Sequence, residues 1–318
     1  MDGNLSVRSE SMFLPKVDPS QHDLLKAVSY RNEVLPLRQL YNNNVTVEQL
    51  QAQRISTLKE GCAKARQNGI YFPHGGRLPI YNDEYKFMLC AVPKVATTSW
   101  KRVFLVLQGD ANSTESLYHK EVQHRYHYPK LVSLYGQEEK FKLSMYTKVV
   151  FVREPFHRIL SAYRNKLEVV DTAIYRKIYG RAIVKKYRKN PSPFSLKTGS
   201  DVTFHEFVEY LADPKTTFTH MDMHWRPMFK LCDVCNRNFD IIGKFEELQE
   251  DALYVLQRIN ASHVVKFPGY DTHVTNSSIE ETYLQYYSTI PKELLLRLYK
   301  KYELDFQLFG YKTPSILT

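Results

Sequence analysis

The stretch KFMLCAVPKVATTSWKRVFLVL, residues 86–107, decides the fold. It opens with an apolar run, KFMLCAV (86–92), of the length expected for a buried strand. Proline interrupts the run at Pro93, and Trp100, Val103, Phe104 and Leu107 then recur at helical spacing. Between strand and helix lies PKVATTS, a turn with Lys94 and three successive hydroxyls, Thr97, Thr98 and Ser99. The same pattern returns twice. KVVFV (148–152) precedes Phe156, Ile159, Leu160, Tyr163 and Leu167, and FDIIG (239–243) precedes Leu248, Ala252, Val255, Leu256 and Ile259. A last helix after Pro291 carries Leu295, Leu298, Tyr299 and Tyr302. Strands alternating with amphipathic helices predict an α/β domain whose mostly parallel sheet is flanked by helices.

Ahead of this region the texture differs. The first forty or so residues are polar and interrupted by proline. Val47, Leu50, Leu58, Cys62 and Ala65 then trace a loose helical stripe that stops at Gly69, and YFPHGGRLP (71–79) reads as a loop. The expected organisation is an N-terminal helical stem over residues 1–80 and one α/β domain over 81–318. With 318 residues and 43% apolar side chains, the chain can bury a proper core.

In a parallel sheet, ligands gather beyond the carboxyl ends of the strands, where helix N-termini offer free N–H groups to anions. PKVATTSW and REPFHRILS both fall there. The first is a phosphate cradle by composition, although GxxxxGK[ST] is absent, which removes the main support for a nucleotide triphosphatase. The second places Arg153 at a strand end and Ser161 about two helical turns into the next helix; an arginine fork matches a phosphate and a serine hydroxyl adds a further bond. Two such loops at adjacent strand ends imply a ligand with two separated phosphates.

The balance of 44 Lys and Arg against 34 Asp and Glu leaves a charge of +10, which favours anionic partners. YRKIYGRAIVKKYRKN (175–190) concentrates Arg176, Lys177, Arg181, Lys185, Lys186, Arg188 and Lys189 among tyrosines and could line a groove for an acidic glycan. No RNA-binding motif accompanies it, so no nucleic-acid partner is expected. No run of 18 apolar residues occurs and MDGNLSVRSE lacks the apolar region of a signal peptide. Yet sequons stand at Asn4, Asn44, Asn112, Asn260 and Asn276, a hint of a secretory lumen; membrane association would then come through an anchor upstream of this chain. Of four cysteines, Cys62, Cys90, Cys232 and Cys235, only the last two have CxxC spacing. That favours a structural disulfide or buried thiols over zinc, and no metal is expected.

PKVATTSWKRVFLVL resembles the 5'-phosphosulfate loop, and FVREPFHRILSAYRNKL the 3'-phosphate motif, of the Golgi carbohydrate sulfotransferases. The likeness continues through RKN (188–190), HWRPMFKLCDVC, GKFEELQEDA and VKFPGY, covering about residues 81–312. Within that family the chain is most similar to the chondroitin and dermatan 4-O-sulfotransferases and their N-acetylgalactosamine and HNK-1 relatives. The resemblance implies a P-loop-like sulfotransferase fold, the donor 3'-phosphoadenosine 5'-phosphosulfate, an acidic glycan or glycosaminoglycan acceptor, and a Golgi lumenal location. It assigns Pro93, Lys94, Val95, Ala96, Thr97, Thr98 and Ser99 to the 5'-phosphosulfate, with Lys94 also catalytic, and Arg153 and Ser161 to the 3'-phosphate. Relatives commonly carry Cys and Asn where this chain has Thr97 and Ser99, and sulfotransferases often carry Tyr at the position of Phe245. A base must accept the proton of the attacking sugar hydroxyl. The segment SLYHKEVQHRYHYP offers His119, with His124 and His127 beside it; His224, in the HW pair, is the competitor. A sulfotransferase for another glycan acceptor is the alternative of the same class, and an inactive relative that only binds glycans is the alternative of a different class.

Overall fold

Three of the expected strand positions pair side by side in the computed structural model, which describes residues 45–117, 121–122, 128–130, 136–169, 173–269 and 275–318. The strands are β1 (Ile80–Asn82), β2 (Phe87–Cys90), β3 (Thr147–Val152) and β4 (Ile241–Lys244), hydrogen-bonded in that order. β1 is antiparallel to β2, whereas β2, β3 and β4 are parallel. The register sets Cys90 beside Val150, and Val152 beside Lys244. The carboxyl ends of all three parallel strands therefore open on one edge.

Local chemistry explains where these elements depart from the sequence expectation. β2 ends at Cys90 because Ala91 and Val92 already lead into the turn at Pro93. β4 starts two residues late because Asp240 is held outside the ladder: its N–H donates to the Lys148 carbonyl (2.8 Å) and its carboxylate accepts from the Lys148 N–H (2.7 Å). β1 has three residues, too few for alternation to register. Gly243 has no side chain for a packing reason, since a Cβ there would lie 2.2 Å from the Phe151 ring.

Helices Thr97–Leu107, Pro155–Tyr163 and Leu248–Arg258 follow β2, β3 and β4. Trp100, Val103, Phe104 and Leu107 are buried as expected, with Phe104 stacked on Phe87 and Trp100 tilted against Phe151. A second apolar cluster lies among helices, where Phe156, Leu160, Phe207, Trp225, Tyr287, Tyr302 and Phe306 meet. The last helix, Lys292–Leu308, joins this cluster through Leu294, Leu295, Leu298, Tyr302 and Phe306.

The helix Val47–Gln67, which the sequence reading assigns to the lead-in, is built into the packing of the sheet. Thr46 and Gln49 form a capping box at its start. Its buried face carries Gln51 and Arg54 as well as Leu58, Cys62 and Ala65. Arg54 donates to Asp251 (2.8 Å), Glu247 (2.7 Å) and the Ile242 carbonyl (2.8 Å), while Gln51 accepts from the Ile242 N–H and donates to Asp251. A helix held by polar side chains leaves a weak apolar stripe, so periodicity understates its place. Two disulfides, Cys62–Cys235 and Cys90–Cys232, join this helix and β2 to one segment, with each thiol of the CxxC bonded to a different element.

Removing Arg54 would leave Asp251 and Glu247 buried without their cation. Arg54→Ala is expected to destabilise the fold by about 3–5 kcal/mol, read as a lower denaturant midpoint. An unchanged midpoint would make this helix a detachable arm.

Candidate active site

The turn after β2 is held in a conformation that is unusual for its residues. Lys94 and Ala96 both adopt left-handed backbone angles, φ 69° and 52°, without a glycine, at a cost of roughly 1–2 kcal/mol each. Strain of this kind survives where the surroundings impose it. The Pro93 carbonyl accepts from Arg158 (3.1 Å), Val95 is buried, and the Thr97 hydroxyl donates to the Val92 carbonyl. The result is a helix whose N-cap, Ala96, supplies no side-chain acceptor to the N–H groups of the first turn. Thr98 is half-buried and Ser99 buried on that turn. An open N-terminus beside a lysine is a site for an anion.

Arg153, the first residue after β3, lies alongside. It is 4% exposed, and its guanidinium reaches the Lys94 carbonyl (3.2 Å), Ser277 Oγ (2.9 Å) and Ser278 Oγ (2.7 Å). It also lies 4.2 Å from the centre of the Phe245 ring, so one face of that ring is covered by a cation. Ser161 Oγ is 3.0 Å from Thr275 Oγ1, which is 2.8 Å from Ser277 Oγ. The turn Thr275–Ser278 therefore joins both residues singled out for the second anion. No apolar period or charge marks this turn in the sequence, and its one visible signal, the sequon at Asn276, points to a different chemistry.

Positive charge is concentrated here. Burial, then Arg153, Lys166 and Arg158, push the Lys94 ammonium down to about 7, and burial lowers Arg153 to about 10. Arg158 is 1% exposed and donates to three carbonyls, those of Pro93, Met223 (2.9 Å) and Arg226 (2.8 Å), with no carboxylate among them. It thereby ties the turn after β2 to the segment that carries His224.

His224 Nδ1 lies 2.5 Å from Asp222 Oδ1 and 3.2 Å from the Tyr175 hydroxyl. With the carboxylate as acceptor, Nδ1 holds the proton and Nε2 keeps its lone pair. Burial pushes the imidazole down to about 4, opposed by the Asp222 bond and reinforced by Lys166 and Lys94. The ring is therefore neutral near pH 7 and within electrostatic reach of Lys94. From the last helix, the Tyr302 hydroxyl donates to the Trp225 carbonyl (2.5 Å), and the Asp305 carboxylate accepts the N–H groups of Met228 and Phe229. Asp222 was not singled out by sequence, although an acid two residues before His224 is a readable pattern. His119, His124 and His127 lie outside the described residues.

The basic stretch 175–190 is only partly available to a ligand. Arg176 donates to the Leu167 and Glu168 carbonyls, Arg181 to the Leu196 carbonyl, Lys186 to Asp213, and Arg188 to Asp201 and Glu206. Lys177, Lys185 and Lys189 are exposed. Among the described residues no group of three or more His, Cys, Asp or Glu side chains could hold a metal ion.

The sequence profile of the sulfotransferase family matches residues 79–312. Carbohydrate sulfotransferase 11 of Mus musculus is 33% identical over 301 residues, spanning 89% of this chain and 83% of that protein. Carbohydrate sulfotransferase 9 of Homo sapiens is 38% identical over 278 residues, spanning 85% of this chain and 61% of that protein. Carbohydrate sulfotransferase 14 of Danio rerio is 40% identical over 239 residues, or 75% of this chain and 63% of that protein. No solved structure matches the chain. A profile that runs through the turns at Lys94 and Arg153 and through His224, with relatives at this identity, shows that the chain belongs to the sulfotransferase family, in the company of carbohydrate sulfotransferases.

Proposed function

We propose that this enzyme transfers a sulfuryl group from 3'-phosphoadenosine 5'-phosphosulfate to a glycosaminoglycan or related glycan, at the 4-position of N-acetylgalactosamine in chondroitin or dermatan. The observation that carries the donor assignment is the pair of anion sites at adjacent strand ends. One is the open helix N-terminus with Lys94; the other is Arg153 with Ser161. A donor with a 5'-phosphosulfate and a 3'-phosphate has matching charge at both. The turn acts as a P-loop-like cradle that reaches its shape through strained Lys94 and Ala96 instead of glycines. The acceptor assignment rests on the resemblance of the motifs to the 4-O-sulfotransferases and on the basic balance of the chain.

The chemistry follows from the placement of charge. The acceptor oxygen attacks sulfur, the bond from sulfur to the bridging phosphate oxygen breaks, and the hydroxyl proton passes to a base. Lys94 and the N–H groups of the first helical turn stabilise the charge that grows on the leaving phosphate. His224 serves as the base through Nε2, with Asp222 fixing the tautomer. The anionic donor offsets the cations that depress His224, which raises its basicity once the site is filled. His119 is the second reading for the base, carried by the resemblance.

A lumenal, Golgi location is supported by the pairing of all four cysteines, since disulfides persist in oxidising compartments. Asn112 and Asn260 are exposed, whereas Asn276 is half-buried at the donor site.

Incubation with labelled donor and desulfated glycans, followed by disaccharide analysis, tests the activity. His224→Ala is expected to lower turnover by about 10² or more with donor affinity retained; full activity would move the base to His119, and transfer absent from the native chain would leave a glycan-binding relative. Donor affinity is also expected to depend on pH. Lys94 titrates near 7 in the free enzyme and must carry its charge to meet phosphate, so affinity falls by up to about tenfold per pH unit above 7. Calorimetry with adenosine 3',5'-bisphosphate in buffers of different ionisation enthalpy should report proton uptake at pH 8; binding without uptake would separate Lys94 from the phosphate. In a secreted form, glycosidase digestion should shift the mobility on a gel, and N112Q with N260Q should reduce the shift.

A further inference from the structure

We infer that Arg77, Lys101 and Lys130 form a subsite, beside the loop that carries His224, for the carboxylate of a uronate flanking the sugar that receives the sulfuryl group. The enzyme then selects an acidic over a neutral galactosamine glycan. The inference rests on the activity proposed above and deepens it on the acceptor side.

Arg77 is held by its backbone. Its N–H donates to the Leu231 carbonyl (2.6 Å) and its own carbonyl accepts from Arg237 Nη1 (2.6 Å). Gly76, just before it, takes φ 81°, and a Cβ there would lie 2.9 Å from the Leu231 carbonyl oxygen. Leu231 adjoins Cys232, whose disulfide to Cys90 ties this segment to β2. The half-buried Arg77 side chain is thereby aimed from a fixed point, and its Nη1 meets Met223 Sδ, a neutral group. Met223 is 37% exposed, immediately precedes His224, and gives its carbonyl to Arg158 (2.9 Å). Arg77 therefore touches the residue next to the proposed base, on a loop already fixed to the turn at Lys94.

Two lysines converge on the same place. Lys101, on the helix Thr97–Leu107, lies 4.9 Å from the centre of the buried Tyr128 ring. Lys130, two residues after Tyr128, is bridged to Ile80 at the start of β1 and is exposed. Burial, then Arg77 and Lys130, push Lys101 down to about 8, so the three cations share one field. Lys94 responds to a different set, Arg153, Lys166 and Arg158, which separates this group from the cations of the donor turn. Asp222, the carboxylate that bears on Arg77, is engaged by the His224 N–H and ring. Asp233 accepts from the Gly75 N–H (3.1 Å) and from Asn236 (2.8 Å). Like charges on a solvated face spread apart, whereas these are gathered from three separate segments, an arrangement that a bound anion stabilises. The planar fork of Arg77 fits a carboxylate, and the ammonium groups add point charges. In chondroitin or dermatan each galactosamine is flanked by a uronate, so a galactosamine hydroxyl presented to His224 carries a carboxylate one sugar away.

The test compares transfer to desulfated chondroitin with transfer to the same polymer after its carboxyls are reduced to alcohols. With no sulfate present, the carboxylate is the one anion that differs. The native chain should favour the acidic polymer by about tenfold or more in kcat/KM. In Arg77→Gln with Lys101→Gln that ratio should fall to within about twofold of unity, through KM and not kcat, while affinity for adenosine 3',5'-bisphosphate stays within about twofold. Lys130 is exposed, so Lys130→Glu should keep the native unfolding midpoint and lower the ratio by about threefold or more; it decides the matter should the double variant lose its fold. A native ratio near unity, folded variants that keep the native ratio, or a loss of bisphosphate affinity as large as the loss for the acceptor would overturn the subsite while leaving the sulfotransferase reading intact. Transfer to neither polymer by a chain that binds the bisphosphate would instead remove the chondroitin-type acceptor, and the subsite with it.

Discussion

Arg153 and Arg158 donate to carbonyls and hydroxyls at the carboxyl edge of the sheet beside Lys94, and among the described residues no carboxylate is hydrogen-bonded to either arginine. Burying cations without a directly bonded counter-ion is costly, and burial lowers both Lys94 and Arg153. A surrounding fold has to impose such an arrangement. Carboxylates in hydrogen-bond contact would relieve it. The neutral acceptors hold the side chains in position and leave their charge uncompensated for an anion.

The imposing elements are the parallel register and two polar struts. Pairing β2 with β3 and β3 with β4 brings the turn after Cys90, Arg153 and Phe245 to one edge. Arg158 then fixes the turn at Pro93 and the loop at Met223 and Arg226 in a single set of hydrogen bonds. The last helix secures the other side of that loop through Tyr302 and Asp305. The turn at Lys94 and the loop that carries His224 are thus parts of one hydrogen-bonded body.

Electrostatics links the two halves further. Lys94 and Lys166 both lower the His224 imidazole. An anion that neutralises the cationic edge makes the same imidazole a better proton acceptor. The imidazole is least basic while the cationic edge is bare, because Lys94, Lys166 and the ring share one field.

The sequence by itself determined the α/β class, the three parallel strands, the stripes of the helices that follow them, and the two anion-seeking turns at Lys94 and Arg153. All of these depend on residues close together in the chain, where the period of apolar residues and turn chemistry act directly. Only the tertiary structure decided the rest. The helix Val47–Gln67 is anchored by Gln51 and Arg54 to groups about 190 residues away, and polar anchors leave no periodic trace. The cysteines pair across separations of 173 and 142 residues, so the CxxC spacing carried no information about their partners. All three arginines in the basic stretch are taken up by carbonyls and carboxylates that the chain returns to them. The hydroxyls of Ser277 and Ser278 meet Arg153 only because the turn is carried onto a buried arginine more than 120 residues earlier. A hydroxyl has no intrinsic address; the cation it meets in the folded chain gives it one.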